Sequence, residues 1–256
     1  MNIRYTSPEL AEFYSRHRNT WQELYPSERY VFGRLGESRK CLGSVLDVGC
    51  AAGGVGRALS ERFKIARYVG IDINAGVIRT AVSEQKTFPA PCSFICGDIV
   101  DDPAPLQGQQ FDLVCSLSCA DWNLDPLTII QRCWSRVVPG GHLILSLRLT
   151  NALGVNDMSR SYQFIHFGDG PLRGDEEKAN YVVFNVRELL GLLSSLQPGP
   201  GHLLAYGYWG KPSRTAVTPY PRLVFAVLAL LRSEANNSPV IEATLPLDLL
   251  ASSPTP

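Results

Sequence analysis

The chain lacks an excess of charge of either sign: 24 Lys and Arg residues balance 24 Asp and Glu residues. A polyanion would find no bulk attraction on such a surface, so nucleic acid is not an expected partner. Long apolar runs are also missing. The longest, Leu223 to Leu231, falls far short of the ~20 residues that a membrane helix needs. The opening residues MNIRYTSPEL contain no apolar stretch or cleavage site of the secretory kind, and a cytoplasmic setting is expected. There is no CxxC pair. Cys92 with Cys96, and Cys115 with Cys119, stand four apart without an accompanying histidine, so no metal site is expected and the seven cysteines read as free thiols. Internal repeats are absent, and only the end, ASSPTP at 251–256, reads as a flexible tail.

What is there is an alternation. From Ser44 the chain runs SVLDVG, GVGRALSERF, YVGIDI, AGVIRTAVSEQ, CSFICGDI, FDLVCSLS, LDPLTIIQRCWSRVV and HLILSLRL. Nearly unbroken apolar strands separated by helical stretches predict an α/β domain whose parallel sheet is covered on both faces. Residues 1–43 precede this core, which spans 44–150, and TSPELAEFYSRHRNTW predicts a leading helix that ends before Tyr25-Pro26. Thr6 and Glu9 have the spacing of a capping box; with Ser7 as cap instead, Pro8 takes the first helical position. Residues 151–185 are polar and glycine-containing, and they read as an inserted cap over one sheet edge. Residues 186–250 bring a helix with Asn185 as N-cap, then two strand-like runs that read as an antiparallel hairpin.

The stretch VLDVGCAAGGVGRAL turns from strand to helix through glycines. A dinucleotide fingerprint GxGxxG would place its second glycine where Ala51 stands. The spacing present, Asp47-x-Gly49-x-Ala51-x-Gly53, puts an acidic residue at the strand end and no basic residue on the loop. That charge pattern suits a ligand with an ammonium group and a nucleoside but no phosphate.

Five segments in order, VLDVGCAAGG, YVGIDIN, CGDI, FDLVCSLS and VVPGGHLIL, resemble the motifs of class I S-adenosylmethionine-dependent methyltransferases. They are most similar to the small-molecule subgroup that includes the ubiquinone and menaquinone biosynthesis methyltransferases. The resemblance covers Ser44 to Leu149 and departs at Ala51, where the family often has glycine. It implies a Rossmann-like seven-stranded sheet with helices on both faces, an N-terminal lid helix and S-adenosyl-L-methionine as cofactor. Gly49, Cys50 and Ala51, in the loop completed by Gly53, would present backbone to the methionine half, with Asp47 reaching its ammonium. Asp72 would accept both ribose hydroxyls, a task suited to an acceptor-only carboxylate. Ile73 would flank the adenine, Asp98 would accept from its amino group, the N–H of Ile99 would meet a ring nitrogen, and main chain near Ser116 would hold the ammonium. Taken alone, Asp72-Ile73-Asn74 also reads as a capped turn.

After the fourth strand stands SCADWN, where methyltransferases of planar nitrogens carry (D/N)PP(Y/F/W). The expected acceptor is therefore a small molecule methylated on oxygen or nitrogen, a sugar or secondary metabolite. Asp121 and Trp122 are expected to line its pocket, although Asp121 equally fits as a cap for the next helix. His166, in SYQFIHFGDG, is the candidate base. Tyr14, Arg18 and Trp21 could close over the donor, with Arg18 or Arg16 pairing its carboxylate. Asn151, Asn156, Asp157, Arg160 and Gln163 in the cap favour a hydroxylated acceptor. A monomer or homodimer is expected, and the competing reading is a catalytically silent binding or scaffold protein.

Overall fold

A computed structural model describes residues 2–167, 170–233 and 240–250. The tail at 251–256 lies outside these residues, as do Gly168 and Asp169 of the inserted segment. Strands β1 (Cys41–Val48), β2 (Lys64–Asp72), β3 (Cys92–Cys96), β4 (Phe111–Ser116) and β5 (Val137–Thr150) pair in parallel in the order β3-β2-β1-β4-β5. The inserted segment contributes β6 (Tyr162–Phe164), β7 (Lys178–Asn180) and β8 (Phe184–Asn185). Beyond it come β9 (Pro200–Gly210), β10 (Ala216–Val217), β11 (Leu223–Arg232) and β12 (Val240–Thr244). Strand β11 lies between β5 and β9, antiparallel to both, so the predicted closing hairpin is present. The sheet then continues by one further edge strand, β12, parallel to β9.

Each strand alternates between two cores because successive side chains point to opposite faces. On one face Leu143, Leu145, Leu147 and Leu149 of β5 meet α5 (Pro126–Ser135) and α6 (Val186–Ser194) through Ile129, Trp134, Leu189 and Leu193. On the other, Val45, Ile144 and Val227 meet α2 (Pro26–Ser38) and α3 (Gly54–Ser60) through Val31, Phe32, Ala58 and Leu59. Short polar side chains start the helices: Asp125 caps α5 and Asn185 caps α6, each accepting main-chain N–H groups of the first turn. Cys96 is exposed and Cys92 half-buried, in contrast to the apolar run that contains them, because β3 is an edge strand.

The N-terminal region departs from one long helix. It divides into α1 (Pro8–Arg16), a 3-10 turn at Trp21–Glu23, and α2, which begins at Pro26. The break falls at Arg18, whose φ is 64°. The Thr6–Glu9 capping box is not formed. The N–H groups of Thr6 and Ser7 donate instead to the Glu177 carboxylate at 2.9 Å, and Glu9 pairs with Arg173. Trp21 packs on Phe63, 6.1 Å between ring centroids, and not over the glycine loop.

The inserted segment is also less loose than its polar composition suggests. Strand β6 pairs with β7 and β10 in a small antiparallel sheet, and Ile165, Ala179, Tyr181, Val182 and Val183 are buried. Phe13 of α1 stacks between His17 and Phe167, both centroids at 4.2 Å, so α1 and the insert pack as one cover. Helix α1 in turn rests on α4 (Ala75–Ser83), through a cluster that includes Leu10, Val77 and Ile78.

Candidate functional site

Four parallel strands deliver their C-terminal ends to one place beneath this cover. After β1 the chain turns at Gly49, Ala51 and Gly53, with φ of 78°, 47° and 85°. Gly49 is irreplaceable by sterics: a Cβ there would lie 2.6 Å from Cys119 Sγ. Its N–H and that of Cys50 donate to the Ile71 carbonyl. Asp72, ending β2, holds the loop directly, since Oδ2 accepts from Ala51 N–H at 3.0 Å and Oδ1 from Asn74 N–H at 2.8 Å. The cap of α4 is Asn74, whose side chain accepts from Gly76 and Val77 N–H, so the capped-turn reading belongs to Asn74 and leaves Asp72 to the loop. Burial raises the Asp72 carboxyl, and its two main-chain donors oppose that shift.

Gly49, Cys50, Ala51, Asp72 and Ile73 border a cavity of about 110 Å³. Asp98 and Ile99, after β3, border it from the side, and Trp122, Tyr14 and Arg18 close it. Ala51 is the strained member, because alanine at positive φ carries a Cβ penalty that glycine avoids. Ala51→Gly is therefore expected to leave the melting temperature unchanged or raised. Ala51→Val should lower stability by ~1–3 kcal/mol in thermal denaturation, because a branched side chain tolerates that region least.

Asp47, Gly53 and the Ser116 side chain lie behind the loop, whereas Leu117 and Ser118, next to Ser116, border the cavity. Asp47 is 2% exposed and accepts from the Tyr68 hydroxyl at 2.6 Å, while Ser116 is fully buried; neither borders the cavity. Their side chains point into the sheet cores because β1 and β4 are covered on both faces. Gly53 also stands back from the cavity, against Phe88 and Phe94, and starts α3. Burial pushes the Asp47 carboxyl up to about 6, against the pull of Tyr68 and Arg18. Between its unfolded value near 3.9 and about 6, the folded chain binds more protons than the unfolded chain, so this carboxyl's contribution to stability declines as pH rises through that window. Asp47→Asn should flatten that slope in melting temperatures measured across the same range.

Residues 2–7 form a strap over the cavity that the sequence pattern did not disclose. The Asn2 amide donates to both Asp98 oxygens, at 3.1 and 3.0 Å, and Asp98 also accepts from Val100 N–H. A ligand amino group bound to Asp98 would take over the donor role of Asn2. The Tyr5 hydroxyl donates to the Trp122 carbonyl, and the Tyr5 carbonyl accepts from Asn74 at 2.8 Å. Arg18, not Arg16, faces inward: Arg16 is exposed beside Glu12, whereas Arg18 donates to buried Glu28 at 2.6 Å and to Ser118 Oγ at 3.3 Å.

Ser118 and Trp122 are shared with a second cavity of about 360 Å³. Asp121 borders it, and its partner is Arg148 of β5, with Nε to Oδ2 at 2.8 Å and both side chains 5% exposed. Asp121 is thus an ion-paired wall residue and not a helix cap; Asp125 caps α5. The Arg148 guanidinium lies 3.6 Å from the centroid of Tyr181. The sequence signal for Arg148 is a charge inside HLILSLRL, a strand buried on both faces, which calls for a buried partner. His166 borders neither cavity; it lies 3.1 Å from the Gly170 carbonyl and 3.7 Å from Glu9, and so is not placed to act as base. Of the polar residues in the cap, Gln163 borders the second cavity, whereas Asn156 bonds the Leu124 carbonyl and Asp157 its own loop at Ser159. Among the described residues no group of three or more His, Cys, Asp or Glu side chains is placed to hold a metal ion. No helix among them is long and apolar enough to cross a membrane.

Residues 45–141 match the family described as a methyltransferase domain. The chain is 24% identical over 200 residues to a malonyl-[acyl-carrier protein] O-methyltransferase of Priestia megaterium, covering 78% of this chain and 62% of that protein. It is 28% identical over 102 residues to a ubiquinone biosynthesis O-methyltransferase of Coxiella burnetii, covering 40% of this chain and 42% of that one. The chain thus spans less than two thirds of the length of these relatives. A crystal structure of an S-adenosylmethionine-dependent methyltransferase from Clostridium acetobutylicum superposes with a TM-score of 0.51 at 13% identity, over 84% of this chain and 97% of that one. Residues 45–141 are thus similar to a methyltransferase domain, and the chain has the fold of that S-adenosylmethionine-dependent methyltransferase structure.

Proposed function

We propose that this protein transfers a methyl group from S-adenosyl-L-methionine to an oxygen or nitrogen of a small molecule. The observation that carries the reading is Asp72: its carboxylate anchors the glycine loop and borders the same cavity as Asp98, at the C-terminal ends of parallel strands, where ligands bind in open α/β sheets. The residues fit the donor. Asp72 retains lone pairs for two hydroxyls, since each carboxylate oxygen accepts more than one bond. Gly49 and Gly54 border the cavity, and Ile73 supplies an apolar wall.

When bound, the donor supplies a sulfonium methyl and the driving force for an in-line displacement. The chain's part is to orient the acceptor and exclude water. The strap and α1 cover the donor cavity, Arg18 and Ser118 stand at the junction of the two cavities, and Trp122 separates donor from acceptor. Asp121 is the acceptor-side carboxylate, and His166 lies outside both cavities. The balanced charge supports a small molecule over nucleic acid, and the seven free thiols suit a cytoplasmic monomer or homodimer. Incubation with S-adenosylmethionine and panels of sugars, amines and phenols, reading out S-adenosylhomocysteine, tests this. Acceptor-dependent product is expected. Donor binding without turnover on any panel would favour the silent scaffold.

A further inference from the structure

We infer that the second cavity holds the methyl acceptor and that the acceptor is an uncharged polyhydroxylated ring, a monosaccharide unit, read by Asp121 and Gln163. This rests on the methyl-transfer reading above. Both side chains are more than nine-tenths buried, Asp121 at 4% and Gln163 at 9% exposure. Each keeps an oxygen without a donor, Asp121 Oδ1 and Gln163 Oε1. Buried acceptors without partners are costly, and a ligand that brings hydroxyl donors removes that cost. Two such oxygens on one cavity wall call for at least two donors on one molecule.

The charge balance of the cavity excludes an anionic acceptor. Asp121 is paired by Arg148 and Glu28 by Arg18, so both buried cations are committed, and Lys211 is exposed. A carboxylate ligand would face the orphan Asp121 oxygen with no uncommitted buried cation to offset it. The polar groups are also dispersed. Ser27, Ser118, Ser146 and Ser213 add hydroxyls around the lining, while Trp122, Tyr208 and Phe225 contribute flat apolar walls. A planar phenol confines its donors to the edge of one ring plane. A saturated ring with hydroxyls in several directions and C–H faces for the aromatic walls uses the whole lining.

Ligand-observed saturation-transfer NMR on the full chain tests this, in the presence and absence of S-adenosylhomocysteine. The probes are methyl glycosides of glucose, galactose, mannose and rhamnose, with catechol and malonate as competing chemistries. Saturation transfer to at least one glycoside is expected. Its affinity should fall at least ~tenfold in Gln163→Leu. Calorimetric affinity for S-adenosylhomocysteine should be unchanged in the same variant. Should Gln163→Leu fail to fold, the double variant Asp121→Leu with Arg148→Met, which removes the orphan oxygen without leaving Arg148 unpaired, is the second, and the same loss of glycoside binding is expected. Response from catechol or malonate alone, from no probe, or undiminished glycoside binding in the variants would overturn the inference. If S-adenosylhomocysteine does not bind, the methyl-transfer reading fails separately, and the glycoside signal measured without it still decides what the cavity takes.

Discussion

Asp72→Ala is expected to lower affinity for S-adenosylmethionine at least ~tenfold, because two charge-assisted hydrogen bonds worth ~1.5–3 kcal/mol each would be lost. The same change releases the Ala51 and Asn74 N–H groups, so the melting temperature should fall as well. Asp72→Asn should be milder in both respects, since its carbonyl oxygen still accepts. The two readouts separate the roles of the residue. A lowered melting temperature with unaltered donor affinity in the folded fraction would make Asp72 a purely structural brace for the loop. Asp125→Ala is the control: it removes the cap of α5 at a cost of ~0.5–2 kcal/mol and leaves the Asp72 carboxylate and the strap in place.

Arg148→Ala is expected to destabilise the chain by ~3–5 kcal/mol in denaturant unfolding, because Asp121 would be left charged, unpaired and buried. The stacking of the guanidinium on Tyr181 would also be lost. Removing both charges together, as Arg148→Met with Asp121→Leu, should restore much of that stability, since a buried pair replaced by apolar side chains is often neutral. The double variant should nevertheless lose acceptor methylation while keeping donor binding. A loss in the double variant equal to the sum of the losses in Arg148→Met and Asp121→Leu alone would show that the pair is not energetically coupled.

The first cavity was more legible than the second, for a physical reason. Loop, Asp72 and Asp98 lie at the ends of consecutive strands, so order along the chain places them together once the parallel sheet is recognised. Asp47 sits one residue short of the end of β1 and Ser116 is the last residue of β4, and the side chains of both are turned into the core; motif position alone does not separate those cases. The second cavity is assembled from α2, β5, β9, β11 and the inserted segment, which meet only in the folded chain. Its strongest sequence signal was Arg148, a cation in an otherwise apolar strand. His166 had the right chemistry, but it lies beside Glu9 and Gly170, outside both cavities. The N-terminal strap was illegible because Asn2, Tyr5 and Glu177 act through polar contacts across 69 to 171 residues of chain.

Isothermal titration of the intact chain with S-adenosylmethionine, S-adenosylhomocysteine and NAD, alongside the Asp72→Ala variant, tests the central claim most directly. One saturable site for both S-adenosyl compounds, weakened at least ~tenfold in the variant and absent for NAD, is the predicted result. No heat with either S-adenosyl compound, or tighter binding of NAD, would contradict it.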